Sequence, residues 1–187
     1  MLLVAAAPVL AQPQAEPPNG LLLVAKPSLI DPNFRETVVL VTQTTDSSTV
    51  GVILNRPTPK KHEPTDAPLF FGGPVMREVL VALYRSESAP EAAAFHVLKG
   101  VYLSMHPRNL EKLWGNDRER YRLFMGFAGW APGQLESEMQ RDGWYMLPAS
   151  EALLFRADTA GMWEELVEKA RGNRTDSRII PQLAMSK

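Results

Sequence analysis

The chain has 187 residues, of which 45% are hydrophobic and 22% are charged, as in ordinary globular proteins. Twenty basic residues face 21 acidic ones, for a formal charge of -1, so no strong attraction to nucleic acid or to an anionic membrane is expected. There is no cysteine, which excludes thiolate metal sites, a cysteine nucleophile and a disulfide framework.

The N-terminal extension, residues 1–19, differs in composition from the rest of the chain. Its apolar run from Met1 to Leu10 is too short to cross a bilayer as a helix, and it leads into Val9-Leu10-Ala11, a small-x-small pattern that signal peptidases accept. A secretory signal should also begin with positive charge, whereas the first lysine is Lys26. Two interpretations stay open: a cleaved export signal, which would place the protein in the periplasm, or a disordered extension. No transmembrane anchor is expected.

Apolar and β-branched runs predict several strands. Residues 37–43 and 49–55 are separated by the turn-forming sequence TDSS and predict a hairpin. Residues 56–68 contain four prolines and little apolar content, so an exposed loop is expected there. A strand, or a hairpin bent at Gly100, is expected over 96–104. Further strands are predicted at 21–27, 79–84, 121–127 and 144–148.

Helical spacing appears in the second half of the chain. Residues 107–114 and 159–171 both carry apolar side chains at helical intervals, and 151–155 could be a strand or a helix. The apolar face of 159–171 consists of Met162, Leu166, Val167 and Ala170. Strands and helices do not alternate regularly, so a doubly wound parallel sheet is not expected. The pattern predicts one α+β domain over 20–172 with about three helices, followed by a tail over 173–187.

The sequence FAGWAPGQLESEM (127–139) joins a predicted strand to a predicted helix, with its proline in the first helical turn. Gln134 and Glu138 share one helix face, whereas Leu135 and Met139 should face the core. The free N–H groups at this glycine-rich helix start could hold an anion. The alternative is a plain strand-to-helix connection with the tryptophan as a buried anchor.

Two other strand ends carry polar residues or glycines. Asn55 and Arg56 end an apolar run, and the planar guanidinium could clamp an anion or be an ordinary solvated group. Gly72 and Gly73 permit close backbone approach by a ligand or by another strand, and they match neither a P-loop nor a dinucleotide-binding motif. Asp31 is expected to cap a turn with its side-chain oxygen.

The sequence gives little support for a metal site or a catalytic nucleophile. No histidine spacing predicts a zinc site, and no cofactor is expected. Ser104 and His106 are two residues apart, but no GxSxG elbow accompanies them. A serine hydrolase is therefore not favoured, and no catalytic residue is assigned.

Several stretches together resemble the YqgE/AlgH family of bacterial proteins. They are GLLLVAKPSLIDPNFRETVVLV, VGVILNRP, FFGGPV and MGFAGWAPGQLESEM, followed by DGWYMLP and LLF. The resemblance covers Gly20 to about Arg171 and implies an α+β fold with two intertwined β-rich modules around a split-barrel-like core. It implies no established biochemical activity, and it implies a cytoplasmic location. The chain departs from the family after the Gly-Gly-Pro turn, where MREVLVALYR replaces a Gly-Phe-Val-Leu-His-like strand.

The leading hypothesis is a binding module for a small polar molecule or a segment of a protein partner, with a regulatory role. Its candidate site residues lie at strand and helix ends and are expected to converge on one cleft. They are Asn55, Arg56, Gly72, Gly73, Trp130, Gln134 and Glu136. One alternative is a hydrolase with Glu136 or Glu138 as general base. A transcriptional regulator is a second alternative, which the neutral charge and the lack of a DNA-reading motif disfavour.

Overall fold

The computed structural model describes residues 19–115, 117 and 120–172. The predicted N-terminal extension, apart from Asn19, and the predicted C-terminal tail lie outside the described residues. The described part of the chain forms ten strands and four helices. The strands are β1 Leu21–Ala25, β2 Val38–Gln43, β3 Thr49–Ile53, β4 Pro57–His62, β5 Ala67–Phe71, β6 Val75–Arg85, β7 Phe95–Leu98, β8 Val101–Ser104, β9 Tyr121–Trp130 and β10 Trp144–Pro148. The helices are α1 Pro107–Glu111, α2 Gln134–Gln140, α3 Glu151–Leu154 and α4 Met162–Gly172.

The strands form one mostly antiparallel sheet in the order β10-β1-β2-β3-β9-β6-β8-β7. The β4–β5 hairpin joins it through β5, which runs parallel to β9. The sheet curls, but its two end strands, β10 and β7, do not pair with each other to close a barrel. Just before β1, the backbone N–H groups of Asn19 and Gly20 donate to the carbonyls of His96 and Val97 on β7, at 3.3 and 2.8 Å. This is the α+β, split-barrel-like architecture that the family resemblance implies.

Strand β9 belongs to both of the β-rich modules. Its first half, 121–125, pairs with β6 and β5, whereas its last residues, 128–130, pair with β3. The chain thus builds β1 to β3, leaves to build β4 to β8, and returns along β9 to complete the first module with α2 and β10. The two modules are intertwined because one strand belongs to both.

Apolar side chains fill both faces of the central strands. The run Val38 to Val41 is buried at every position, as expected for a strand covered on both sides. On one face, the predicted apolar stripe of α4 packs into the largest core cluster. Each of its larger side chains, Met162, Leu166 and Val167, contributes roughly 1.5–3 kcal/mol when it is removed from water. On the other face, Trp130 and Trp144 pack with Leu135 and Met139 of α2, so the predicted core-facing pair is confirmed.

Local predictions succeeded where hydrophobic pattern dominates and failed where tertiary pairing decides. The hairpin over 37–55 is confirmed as β2–β3, and Gly100 does bend the β7–β8 hairpin, with φ 71°. The loop expected over 56–68 is wrong, because these residues form the β4–β5 hairpin. Its prolines are tolerated because, among the strands that the structure describes, β4 pairs with β5 alone, and edge strands accept proline. Residues 151–154 are helical.

The helix that follows β9 also begins later than expected. The strand runs on through Trp130, and α2 starts at Gln134. Gly133, with φ 78°, stands just before the helix, so the proline lies in the preceding turn and not in the first helical turn. A left-handed backbone conformation suits glycine because it lacks a Cβ.

Candidate functional site

A loop between β1 and β2, residues 27–36, is held by the polar strand end predicted from sequence. The Arg56 guanidinium donates to the backbone carbonyls of Asn33 and Arg35, at 2.7 and 3.0 Å. Asn55 accepts from Val38 N at 2.9 Å and donates to the Glu36 carbonyl at 2.9 Å. Burial, and then the nearby charge of Arg35, lower the pKa of Arg56. The clamp expected at this strand end therefore holds backbone carbonyls of the chain itself.

The same loop is also fixed from within. The Asp31 carboxylate accepts from Asn33 N at 2.7 Å, which confirms the predicted turn cap. The Asp31 carbonyl accepts from the backbone N–H groups of Phe34 and Arg35, at 3.0 and 2.7 Å. Thr37 closes the loop by donating its hydroxyl to the Phe34 carbonyl at 2.6 Å. Short-range bonds of this kind stabilise one loop conformation.

Phe34 joins this loop to the FAGWAPGQLESEM segment. Its ring stacks on Trp130 with centroids 5.6 Å apart, and it meets Trp144 edge-on at 5.7 Å. The Glu138 carboxylate accepts from both indole N–H groups, each at 3.1 Å, and from the Gln134 amide at 3.2 Å. Buried indole N–H groups require such partners. Glu138 therefore orients the two tryptophans on which Phe34 rests.

The Gly72–Gly73 pair lies where β3, β5 and β9 meet. Gly72 N donates to Met125 O, and Gly72 O accepts from Ile53 N, both at 2.9 Å. A Cβ on Gly72 would lie 2.1 Å from Gly126 O. Of the two approaches that the glycines permit, the structure shows approach by another strand.

The candidate residues thus fall into four groups, of which two contact the 27–36 loop. Asn55 and Arg56 grip its backbone, whereas Trp130 supports its phenylalanine. Gln134 is exposed on α2 and bonds to Glu138, and Glu136 is exposed in the first turn of the same helix. The glycine pair directly follows β5, whose last residue, Phe71, donates its backbone N–H to the Arg56 carbonyl at 2.9 Å.

The loop tip presents an apolar side chain to solvent. Ile30 is 88% exposed and borders a depression of about 260 Å³, which is also lined by Lys26, Leu29, Arg35 and Trp163. The Trp163 indole donates to Ala25 O at 2.7 Å, and Lys26 forms an ion pair with Asp142. Sequence reasoning missed Ile30, although an isoleucine beside the turn-forming Asp-Pro pair was a signal.

The structure supports neither a Ser104–His106 dyad nor a metal site among the described residues. The Ser104 hydroxyl donates to Ala93 O at 2.7 Å, and His106 Nδ1 accepts from Arg108 N at 3.2 Å as the N-cap of α1. These side chains therefore do structural work and do not form a Ser–His dyad. Among the residues that the structure describes, no three or more histidine, aspartate or glutamate residues cluster as metal ligands.

The sequence comparisons identify the family. The AlgH-like family model matches residues 22–175. The chain belongs to the AlgH-like family. It is 33% identical over 173 residues to a UPF0301 protein of Thermobifida fusca, covering 82% of this chain and 87% of that one. It is 32% identical over 178 residues to a UPF0301 protein of Bacteroides thetaiotaomicron, covering 89% and 90%.

Solved structures similar to this AlgH-like chain support the fold. The AlgH protein of Pseudomonas aeruginosa, solved in solution, has a TM-score of 0.65 at 24% identity, covering 91% of this chain and 100% of that one. A crystal structure of a Corynebacterium diphtheriae protein has a TM-score of 0.66 at 24% identity, covering 85% and 90%. Within the described residues, none of the helices combines the length and the apolar character that a membrane crossing requires.

Proposed function

We propose that this AlgH-like domain is a binding module and that the 27–36 loop is its contact surface for a protein partner. One observation carries the proposal: the loop is fixed from several sides while its tip residue, Ile30, is 88% exposed. Asn55 and Arg56 fix its backbone, and Trp130 stacks on its Phe34.

A fixed loop with an exposed apolar tip suits recognition for energetic reasons. Association costs free energy for every loop and side chain that must be ordered, and preorganisation removes part of that cost. Protein contact surfaces combine a central apolar anchor with arginine and aromatic neighbours. Ile30 would be the anchor, with the exposed charged residues Asp31, Arg35 and Glu36 around it, so the partner would present an apolar pocket with a polar rim.

The candidate residues have distinct parts in this proposal. Asn55, Arg56 and Trp130 position the loop, and Gly72 and Gly73 position the strand end that carries Arg56. Gln134 and Glu136 would lie at the margin of the contact, on α2. A regulatory role would then act through partner binding. The hydrolase alternative has less support, because the Glu138 oxygens already accept three hydrogen bonds and Glu136 is exposed.

Site-specific photo-crosslinking tests the proposal. A photo-crosslinking side chain is placed at position 30 of the full chain, and a matched one at Met76, which is also exposed. We expect position 30 to give one discrete cross-linked protein in cells of the source organism, and position 76 to give none. Excess unlabelled wild-type chain should compete, whereas an Ile30→Ser chain should not.

The cross-linked protein is then purified and titrated calorimetrically. Ile30→Ser should weaken its binding by about tenfold or more, since a buried anchor contributes over 1.4 kcal/mol, and Met76→Ser should not change it. Equal competition by wild-type and Ile30→Ser chains would show that the loop tip is not the contact. Cross-linking at position 30 to small molecules alone would favour the small-ligand version of the hypothesis.

A further inference from the structure

A second cavity, apart from the depression beside Ile30, is lined by arginines. Its volume is about 360 Å³, and its ten lining residues include three arginines and no acidic residue. The arginines are Arg85, Arg122 and Arg156, and aromatic walls come from Phe70 and Phe155. Small-molecule sites commonly have this size and this mixture of apolar walls with a few placed polar groups.

Arg122 is the unusual member of this set. It lies on β9 and is only 8% exposed, and its guanidinium donates to Leu154 O at 2.9 Å and Leu54 O at 2.8 Å. The guanidinium carbon is 4.2 Å from the Phe70 ring centroid. All of these partners are neutral, and Arg122 forms no ion pair with any carboxylate in the described part of the chain. Burial lowers the pKa of Arg122 to about 10, which leaves it cationic at neutral pH.

A buried cation without a carboxylate is energetically unfavourable. Charged side chains that leave water are normally paired, because neutral hydrogen-bond partners do not replace the lost solvation. Two carbonyl bonds use two of the five N–H donors of a guanidinium. Donors therefore remain on Arg122 for an anion that enters the cavity.

The two other arginines are already balanced by acids outside the cavity lining. Arg85 pairs with Glu151 and stacks over Phe155 with its guanidinium carbon 3.7 Å from the ring centroid. Arg156 pairs with Glu165 at 2.5 Å and donates to Asp158 O at 2.7 Å. Arg122 is therefore the arginine of this cavity that no carboxylate of the described residues pairs with. Its positive charge favours an anionic ligand.

We propose that this cavity binds a small organic carboxylate with an aromatic or other flat apolar body. The carboxylate would accept from Arg122, and from Arg156 at the rim, because a planar guanidinium fork matches the two oxygens of a carboxylate. The apolar body would lie between Phe70 and Phe155. This site is separate from the 27–36 loop, and neither proposal depends on the other.

Calorimetric and ligand-observed NMR titrations of the full chain test this assignment. The probes are benzoate, phenylacetate and 2-naphthoate, with 2-naphthamide as the neutral analogue, and with 2-naphthyl phosphate and inorganic phosphate as alternative anions. We expect at least one carboxylate to bind at least about tenfold more tightly than the amide, since hydrogen bonds to an ionised group are worth more than neutral ones. Absence of binding by all three carboxylates would overturn the proposal, and so would tighter binding of either phosphate.

Variants then locate the bound carboxylate. Arg156→Gln should weaken it by about tenfold, because one charge-assisted bond is lost, while Arg141→Gln, directly after α2, should have no effect. Arg122→Lys keeps the charge but loses the fork, and it should also weaken binding. Should that variant fail to fold, the wild-type NMR spectrum decides: the probe must shift the Phe155 and Phe70 signals. Unchanged affinity in Arg156→Gln together with unshifted aromatic signals would place the probe elsewhere and overturn the proposal.

Discussion

Arg122 donates a 2.8 Å hydrogen bond to the carbonyl of Leu54, and Leu54 is the residue directly before Asn55. One peptide therefore separates the arginine-lined cavity from the strand end that grips the 27–36 loop. Leu54 N also donates to Val38 O at 2.8 Å. The two proposed sites are built on the same short segment, although they open in different places.

The grip of Arg56 on the loop can be tested with Arg56→Lys. Lysine keeps the positive charge but cannot bond two carbonyls through one planar group. We expect the free energy of unfolding to fall by about 1–2 kcal/mol, and amide hydrogen exchange over 33–37 to become faster. Urea denaturation and hydrogen exchange measure these effects. Arg141→Lys is the control, because within the described residues the exposed Arg141 side chain, directly after α2, bonds only to Ser137 of that helix. Unaltered exchange in Arg56→Lys would contradict the prediction.

The structural role assigned to Glu138 predicts a contrast between two nearby glutamates. Glu138→Gln removes one acceptor oxygen from a group that serves three donors. The free energy of unfolding should fall by about 1–2 kcal/mol, and tryptophan fluorescence should change because the three donors are left with one uncharged acceptor oxygen. Glu136→Gln, at an exposed position of the same helix, should change stability by less than about 0.5 kcal/mol. Equal effects of the two substitutions would argue against this role.

Close packing at Gly72 predicts a severe effect of a single methyl group. In Gly72→Ala the new Cβ would meet Gly126 O at 2.1 Å, which requires the backbones of two strands to separate. We expect a loss of about 3 kcal/mol or more in the free energy of unfolding. Gly129→Ala on β9 is the matched control, since its nearest non-adjacent heavy atom lies at 3.6 Å. Denaturation midpoints for the two variants should differ widely, and similar midpoints would refute the close approach.

A buried phenol predicts the pH dependence of stability at alkaline pH. Within the described residues, the Tyr84 hydroxyl has no hydrogen-bond partner, and burial, followed by Tyr102, raises the pKa of Tyr84. The unfolded chain releases this proton near pH 10, whereas the folded chain retains it. Rising pH therefore favours unfolding from about pH 10 upward.

Tyr84→Phe removes that proton equilibrium and leaves the ring in place. At neutral pH its free energy of unfolding should equal that of the wild type or exceed it by up to about 1 kcal/mol, because an unpaired buried hydroxyl is lost. Above about pH 10 the advantage of Tyr84→Phe should grow by up to about 1.4 kcal/mol per pH unit. Urea denaturation of both proteins from about pH 8 to about pH 11 measures the difference. Parallel pH profiles would contradict it.

Sequence by itself determined the features that depend on local pattern. Alternation, apolar runs and turn residues are properties of neighbouring positions, so the β2–β3 hairpin, the apolar face of α4 and the Asp31 turn cap could be predicted from them. The combination of motifs identified the family in the same way, and the family resemblance supplied the split-barrel-like fold.

Only the tertiary structure decided what the polar strand ends do. Arg56 meets the carbonyls of Asn33 and Arg35, more than twenty positions away. Arg122 meets the carbonyls of Leu154 and Leu54, which are 32 and 68 positions away. The prolines of β4 likewise suggested a loop, because their edge position depends on where β5 attaches to β9. A side chain's hydrogen-bond partners lie on chain segments that come together only on folding, so the local spacing of residues does not predict them.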